Sequence, residues 1–523
     1  MLQDHEIVRA VSRIRQRAER QEQADKLVAA HVDSGILPQL ANENHQILYG
    51  RRGTGKTHVL RVLGDKMEHE GNCVVYIDCR TLGSSSQFSD SSAPIGRRCL
   101  ALFRDILAPV YNRILEEIID RQPASGSKAL EAADAFQTAI VEPVRVYETK
   151  EIEYTEDRET SDKSSFSVSG DILKPAFRAG VESSVGEKGG EKVTQKLAVT
   201  TEDKVLFPSI NHFLSQCLTF SGFRIFILLD EWSTLPNELQ PYLAEFLKRG
   251  VLTVQRATLK VAALEQRSSF SLKQGENQVR FELGADITIT QDLDDSYVFD
   301  RNQEGISRFY ADVLFRHLLL ELPDDYLSDT YGIDHPNEFV SQAFTGTGTF
   351  TELARAAEGV IRDLINVFTI AFFHAGKRGR KTIDKQAVVE AARQWFEQDK
   401  AQNLDHHMQN VLRKIVDEVI GAKRARSFLL PRDLEKHPMI LKLFDARVIH
   451  HLQRGYADKD NPGVRYNIYT LDYGTYVDLI GTSKAPQVEF ENFVDEPGNQ
   501  EIVVPFDDKR SIRRITLREE MLD

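Results

Sequence analysis

Residues 47–58 read ILYGRRGTGKTH: an apolar triplet, a loop with glycines at 50, 53 and 55, then Lys56, Thr57 and His58. Gly50, Gly55, Lys56 and Thr57 meet every fixed position of the pattern G-x-x-x-x-G-K-[ST]. Glycines at such positions let backbone N–H groups face phosphate oxygens, and the helix that follows adds its positive end. Lys56 is then expected to reach the β and γ phosphates, and the Thr57 hydroxyl to ligate Mg2+. The expected nucleotide-binding residues are Gly50, Arg51, Arg52, Gly53, Thr54, Gly55, Lys56, Thr57 and His58. Arg51 and Arg52 fill variable positions and read as surface or subunit-interface charges.

The surroundings suit that reading. A short apolar strand precedes the loop, and Val59, Leu60, Val62 and Leu63 follow at helical spacing. A second apolar strand, CVVYIDC (Cys73–Cys79), comes next. This alternation of strand and helix predicts an α/β parallel sheet. The run FRIFILLDEW (Phe223–Trp232) is apolar on both faces, as a covered central strand must be. It ends in Asp230 and Glu231, two carboxylates that are costly side by side without a cation. Asp230 is placed to hold Mg2+, and Glu231 to activate the attacking water, so hydrolysis of ATP and not binding alone is expected.

A chain of 523 residues is too long for one core, and several domains are expected. Residues 1–30 read as a polar helical segment, 31–300 as the phosphate-loop α/β domain, 301–400 as a helical lid, 401–485 as a winged-helix-like domain, and 486–523 as a tail. Within the α/β domain, residues 141–204 turn rich in serine, glycine and charge, with weak periodicity. They read as an insertion, either a projecting hairpin or a disordered loop.

No apolar run approaches the roughly 20 residues that span a bilayer, and the N-terminal segment lacks the apolar stretch of a secretory signal. No membrane association and a cytoplasmic location are therefore expected. The four cysteines, Cys73, Cys79, Cys99 and Cys217, form no CxxC pair and read as buried small hydrophobes. His406-His407 and His450-His451 read as surface histidines. A net charge of −13 argues against a molecule-wide footprint for nucleic acid. Local basic clusters remain at Lys377–Lys381, at Lys423, Arg424 and Arg426, and at Lys509, Arg510, Arg513 and Arg514. In the C-terminal module, Arg424, Arg426, Arg432 and Lys436 gather near a helix start. Arg454, Lys459 and Arg465 lie on or near a two-stranded wing, where phosphate contacts are expected. Asp433, Glu435, Asp445, Asp458 and Asp460 are interleaved with them.

The phosphate loop, the ILLDEW strand, a later strand ending in polar residues, and Gly359-Val360-Ile361-Arg362-Asp363-Leu364 together resemble the AAA+ ATPases. The resemblance implies a small helical lid whose arginine, in a G-x-x-R context, contacts the γ-phosphate; Arg362 matches. One helix is expected there, with Leu353, Ala357, Val360, Leu364 and Phe368 on its apolar face and Arg355 and Arg362 off it. It further implies a polar residue after the next strand, here Glu265 or Gln266. It implies too an arginine acting on a neighbouring subunit's nucleotide, for which Arg280 is preferred over Arg267. Lys56, Glu231, Arg280 and Arg362 are thus the expected catalytic set. The order of parts is similar to the origin-recognition and initiator clade, from which the 141–204 insertion and the acidic charge depart. The expected function is ATP-driven assembly of a homo-oligomer that engages double-stranded DNA, or a DNA-associated partner, through the C-terminal domain. The alternative is a nucleotide-switched signalling or anti-phage defence ATPase that recognises or activates a partner protein.

Overall fold

The structure is a computed structural model. It describes residues 1–14, 24–83, 90–142, 144–152, 183–188, 191–202, 205–274, 277–289, 292–297, 302–422, 426–457, 465–480 and 515–522. Lys423, Arg424, Asp458, Lys459, Asp460, Lys509, Arg510, Arg513 and Arg514 lie outside the described residues, as do residues 153–182 and most of the tail. The chain forms two compact units, one of residues 1–81, 223–245 and 255–523, the other of residues 82–222 and 246–254.

The first unit is built on a parallel sheet of β1 (Gln46–Tyr49), β2 (Cys73–Asp78), β3 (Ile225–Asp230), β4 (Ala257–Ala263) and β5 (Thr288–Ile289), in the order β5-β1-β4-β3-β2. All four pairings are parallel. Every residue of β1, β3 and β4 is buried, which explains their unbroken apolar runs. Gln46, Thr258, Lys260 and the terminal Asp230 are the polar exceptions, and Lys260 lies mid-strand in β4. Its ammonium is fully buried and reaches the Asn44 carbonyl at 2.8 Å and the Gln46 side chain, and burial pushes it down to about 7. The register sets Tyr49 beside Ala263 and Leu229 beside Val261. Gly50 and Asp230 therefore leave the sheet at the same edge, on either side of β4, where an open α/β sheet binds its ligand.

Helices Gln303–Leu319, Pro336–Ala343, Thr347–Ala356, Ile361–Lys377 and Lys385–Trp395 form the lid. Phe339, Phe344 and Phe368 pack mutually in its core, with ring centroids 6.2–6.4 Å apart. The single helix expected across 353–368 is two helices. The chain breaks between them at Glu358 (φ 49°) and Gly359 (φ 80°), and a Cβ on Gly359 would stand 3.1 Å from the Tyr297 carbonyl oxygen. Arg355 is not turned out either. It is 2% exposed, pairs with Glu352 at 2.9 Å and lies over the Tyr473 ring.

The C-terminal part is winged-helix-like. Helix His406–Val416, strand Ser427–Pro431 and helix Pro438–Asp445 lead into the hairpin Ile449–Ala457 and Arg465–Leu471, whose second strand is central in a three-stranded antiparallel sheet. Helix Tyr473–Ile480 follows. At the N-terminus, helix His5–Arg13 is capped by Asp4, which accepts from the Ile7 N–H at 3.0 Å and from the Tyr326 and Tyr331 hydroxyls.

The second unit holds helices Ile95–Arg121, Gly126–Val141 and Phe207–Ser221. It also holds the antiparallel sheet of Val144–Ile152, Glu191–Glu202 and Ser183–Lys188, with Glu191–Glu202 in the middle. The described part of the 141–204 stretch is thus three strands, and it groups with helices that the sequence reading placed in the α/β body. Among the described residues no helix is long and apolar enough to cross a membrane.

Candidate nucleotide site

The loop after β1 turns through Gly53 (φ 87°) and Gly55 (φ 99°), and helix Lys56–His69 starts at Lys56. Gly53 is tied to the lid: its carbonyl accepts the Arg362 N–H at 3.1 Å, and a Cβ there would stand 2.9 Å from the Arg362 Cβ. Only glycine allows both the left-handed backbone and that approach. Lys56 is buried and donates to the carbonyls of Gly50 (2.7 Å) and Arg51 (2.9 Å). Burial pushes its amine below the ordinary lysine value, opposed by the nearby Glu231, Asp294 and Asp230 carboxylates. Among the described residues no carboxylate is bonded to it, so the oxygens of a phosphate can replace the two carbonyls.

Asp230 is fully buried at the end of β3. One of its oxygens accepts from the Tyr76 hydroxyl at 2.7 Å and the other from the Glu231 N–H at 2.8 Å. Neither bond brings a positive charge, and a buried carboxylate so placed fits a cation. One hydroxyl, Thr57, and one carboxylate match Mg2+, which keeps several waters and takes the rest of its shell from phosphate. Among the described residues no group of three or more His, Cys, Asp or Glu could hold a metal, and Mg2+ needs none. Glu231 has the left-handed φ of 54°, a conformation that costs of order 1–3 kcal/mol for a non-glycine residue and persists where neighbours impose it. Here Thr234 donates to its carbonyl at 2.8 Å, and buried Trp232 stacks on Phe270 at 5.3 Å.

Arg52, Gly53, Thr54, Gly55, Lys56, Thr57 and His58 line one cavity of about 330 Å3, and Glu231 and Arg362 line it with them. Gly50 and Arg51 do not. Arg51 is 5% exposed and points the other way, which corrects its reading as a surface charge. Its backbone N–H and Nε donate to Asp294 at 2.9 and 2.8 Å, one terminal nitrogen donates to the Glu358 carbonyl at 2.9 Å, and the other meets His450 Nδ1. From His450 the chain of buried polar groups continues. Nε2 bonds Asp472 at 2.8 Å, Asp472 accepts from Lys400 at 2.6 Å, Lys400 pairs with Asp363 at 2.9 Å, and Asp363 also pairs with Arg447. Burial, then Arg51, pushes His450 down to about 3. Against burial, Lys400 and His450 hold Asp472 well below the carboxylate range.

His450 and His451 are 2% and 6% exposed, so this doublet is not at the surface. Sequence reasoning missed Asp294, Glu358, Asp363, Lys400 and Asp472, since no local pattern marks residues that meet only across about 20 to 400 positions.

The wing arginine is also engaged. Arg454 makes a two-pronged bond to Glu265 at 2.8 and 2.7 Å and pairs with Asp292 at 2.8 Å and Asp295 at 3.3 Å. Arg426 pairs with Glu358, and Arg267 with Asp445. Arg426 is buried with its partner, and Arg454, though 40% exposed, is engaged by three carboxylates; Arg432, Lys436 and Arg465 are exposed. Arg280 ends strand Asn277–Arg280, which pairs with Ser271–Gln274; its side chain lies outside what the structure describes.

The ORC-CDC6-like family model matches residues 16–67. No curated protein matches. Among solved structures the chain is similar to Cdc6p from Pyrobaculum aerophilum (11% identity, 91% of this chain and 96% of that one, TM-score 0.31). It is similar also to the Aeropyrum pernix ORC1 protein in complex with DNA (12%, 87% and 95%, 0.31) and to the Thermotoga maritima RuvB branch migration motor (9%, 85% and 92%, 0.30). The fold itself is defined by the parallel sheet order and register described above. By the match that spans its phosphate loop, the chain resembles the origin-recognition and initiator group of AAA+ P-loop proteins.

Proposed function

We propose that this protein binds and hydrolyses ATP with Mg2+, and that its nucleotide state drives assembly of a homo-oligomer that engages double-stranded DNA or a DNA-associated partner. The observation that carries the reading is convergence: Lys56, Thr57, Glu231 and Arg362, from three separate elements, face one cavity of about 330 Å3. Lys56 binds the β and γ phosphates, Glu231 orients the attacking water and takes its proton, and Arg362 senses the γ-phosphate from the lid. Thr57 and Asp230 would hold Mg2+, which would supply charge neutralisation at the phosphates. Arg280 is the proposed arginine acting in trans on a neighbouring subunit, and a cytoplasmic location suits the whole.

The expected outcome is that Lys56→Ala loses nucleotide binding while Glu231→Gln binds ATP and turns it over at least about a hundredfold more slowly. ATPase rate and particle size, measured with and without double-stranded DNA, test the rest. Normal turnover by the Gln variant would remove Glu231 as the base.

One observation favours the second reading, a nucleotide-switched signalling or anti-phage defence ATPase acting on a partner protein. Two of the basic groups expected to meet phosphate, Arg426 and Arg454, are paired with carboxylates within the chain. Activity and particle size indifferent to DNA at every salt concentration would decide for it.

A further inference from the structure

Two hydrogen bonds hold the buried Asp230 carboxylate, and both donors are neutral. The Glu231 N–H donates to one oxygen at 2.8 Å and the Tyr76 hydroxyl to the other at 2.7 Å. An ionised carboxylate has about four lone-pair sites, so roughly two stay open to water or a cation. The first bond is made by the backbone of the turn after β3. The second comes from a side chain of another strand, two residues before the end of β2.

Sheet register explains how Tyr76 reaches Asp230. On the parallel strands β2 and β3, Tyr76 stands opposite Leu228 and Asp78 opposite Asp230. Side chains two positions apart on a strand share a face, so Tyr76, Leu228 and Asp230 lie on one side of the sheet. Helix Lys56–His69 packs on that side: a Cβ on Gly64 would stand 3.2 Å from Leu228 Cδ1, and Arg61 Cζ lies 4.2 Å from the Tyr76 ring centroid. The helix that presents Lys56 and Thr57 to the cavity thus also steadies the half-buried ring. Asp78 is engaged elsewhere, by the Arg80 backbone N–H and Nε, each at 2.9 Å.

A cationic donor in the place of Tyr76 would offset the negative charge that attracts a metal. A hydroxyl orients the carboxylate and leaves its charge intact, which is how groups behind a metal ligand act. Packing alone does not call for the oxygen, since a phenyl ring fills the same space.

We propose that Tyr76 is a positioning residue for the metal: its hydroxyl holds Asp230 in the orientation that accepts Mg2+, and so sets the Mg2+ concentration at which the nucleotide site loads. The inference rests on the cavity being an ATP site with Thr57 and Asp230 toward the metal. It adds a residue that belongs to neither the phosphate loop nor the carboxylate strand.

The test is the affinity of the full chain for a ribose-labelled, non-hydrolysable ATP analogue, measured in EDTA and then across a titration of free Mg2+. Mg2+ is expected to tighten binding by the wild type. In Tyr76→Phe the Mg2+ concentration that gives half of this effect is expected to rise at least about tenfold, while affinity in EDTA stays unchanged. Asp230→Asn shows whether the hydroxyl acts through the carboxylate: adding Tyr76→Phe to it is expected to change the Mg2+ response by less than about twofold. An unchanged Mg2+ requirement in Tyr76→Phe, or an equally large shift with Asp230 already replaced, overturns the proposal. Loss of binding in EDTA overturns it too, by making the hydroxyl a structural tie. A wild type that binds the analogue without responding to Mg2+ would remove the metal site itself, and one that binds no nucleotide would remove the ATP site, each a different result from a shifted Mg2+ requirement.

Discussion

Arg51 occupies a position of the phosphate loop that the motif leaves free, and the fold uses it fully. Its guanidinium points in three directions at once, to Asp294 after β5, to the Glu358 carbonyl between two lid helices, and to His450 in the winged-helix-like part. Breaking a buried pair by removing one partner is worth about 3–5 kcal/mol, because the other charge stays buried without compensation. Arg51→Ala is accordingly expected to lower unfolding stability by about that amount, read from the midpoint of denaturant unfolding. Arg51→Lys should recover less than half of it, since an ammonium cannot span three partners in a plane. A neutral Ala variant would mean that the groups around Arg51 find other partners. Sequence reasoning saw Lys56, Thr57, Asp230 and Glu231 because strand and loop chemistry fix them locally. It took Arg51 for a surface charge because nothing near it in the chain predicts what it meets.

The lid begins where the phosphate loop ends in space, with the Arg362 N–H on the Gly53 carbonyl. Gly53→Ala is a test of that junction. It places a methyl 2.9 Å from the Arg362 Cβ and 3.0 Å from Val360 Cγ1, at a φ of 87°. Gly71 has nearly the same backbone (φ 84°) and open space around it, so Gly71→Ala carries the backbone strain alone, on the order of 1 kcal/mol. Gly53→Ala is expected to weaken ATP binding at least tenfold while Gly71→Ala leaves it unchanged, both measured by titration of labelled nucleotide. Equal effects would show that strain and not the lid contact matters.

The four longer strands of the parallel sheet and most helices were legible from apolar runs and helical periodicity, and Arg362 from the resemblance carried by its G-x-x-R setting, whereas the short strands Thr288–Ile289 and Ser427–Pro431 were not. The lid break at Glu358–Gly359 was not, because Val360, Leu364 and Phe368 keep helical spacing across it while the close approach of the Tyr297 carbonyl imposes the turn.

In the first unit several titratable groups are buried, which makes stability depend on pH in a definite sense. The winged-helix-like part was legible as helices followed by two strands around a turn, but its attachment through Arg51, His450, Asp472, Lys400 and Asp363 was not, since each of these residues is ordinary where it stands in sequence. His450 and His58 are both held near 3 in the folded chain against an ordinary value of 6.5, by burial first. Between those values the unfolded chain binds protons that the folded one does not, so stability is fully present above about pH 6.5 and falls as pH drops toward 3. The slope is roughly 1 kcal/mol per pH unit for each histidine. Asp472 and Asp363 are also held below the ordinary carboxylate value, and their contribution is lost only at lower pH, as it falls below about 4 toward the depressed folded values. Thermal unfolding followed from pH 8 to pH 5 should therefore be flat above pH 7 and decline below 6.5. In His450→Gln, whose amide can accept from Arg51 and donate to Asp472 without titrating, proton uptake on unfolding at pH 5.5 should be smaller by about one. An unchanged uptake in that variant would mean that His450 titrates normally and that the link from phosphate loop to C-terminal part is not closed in solution.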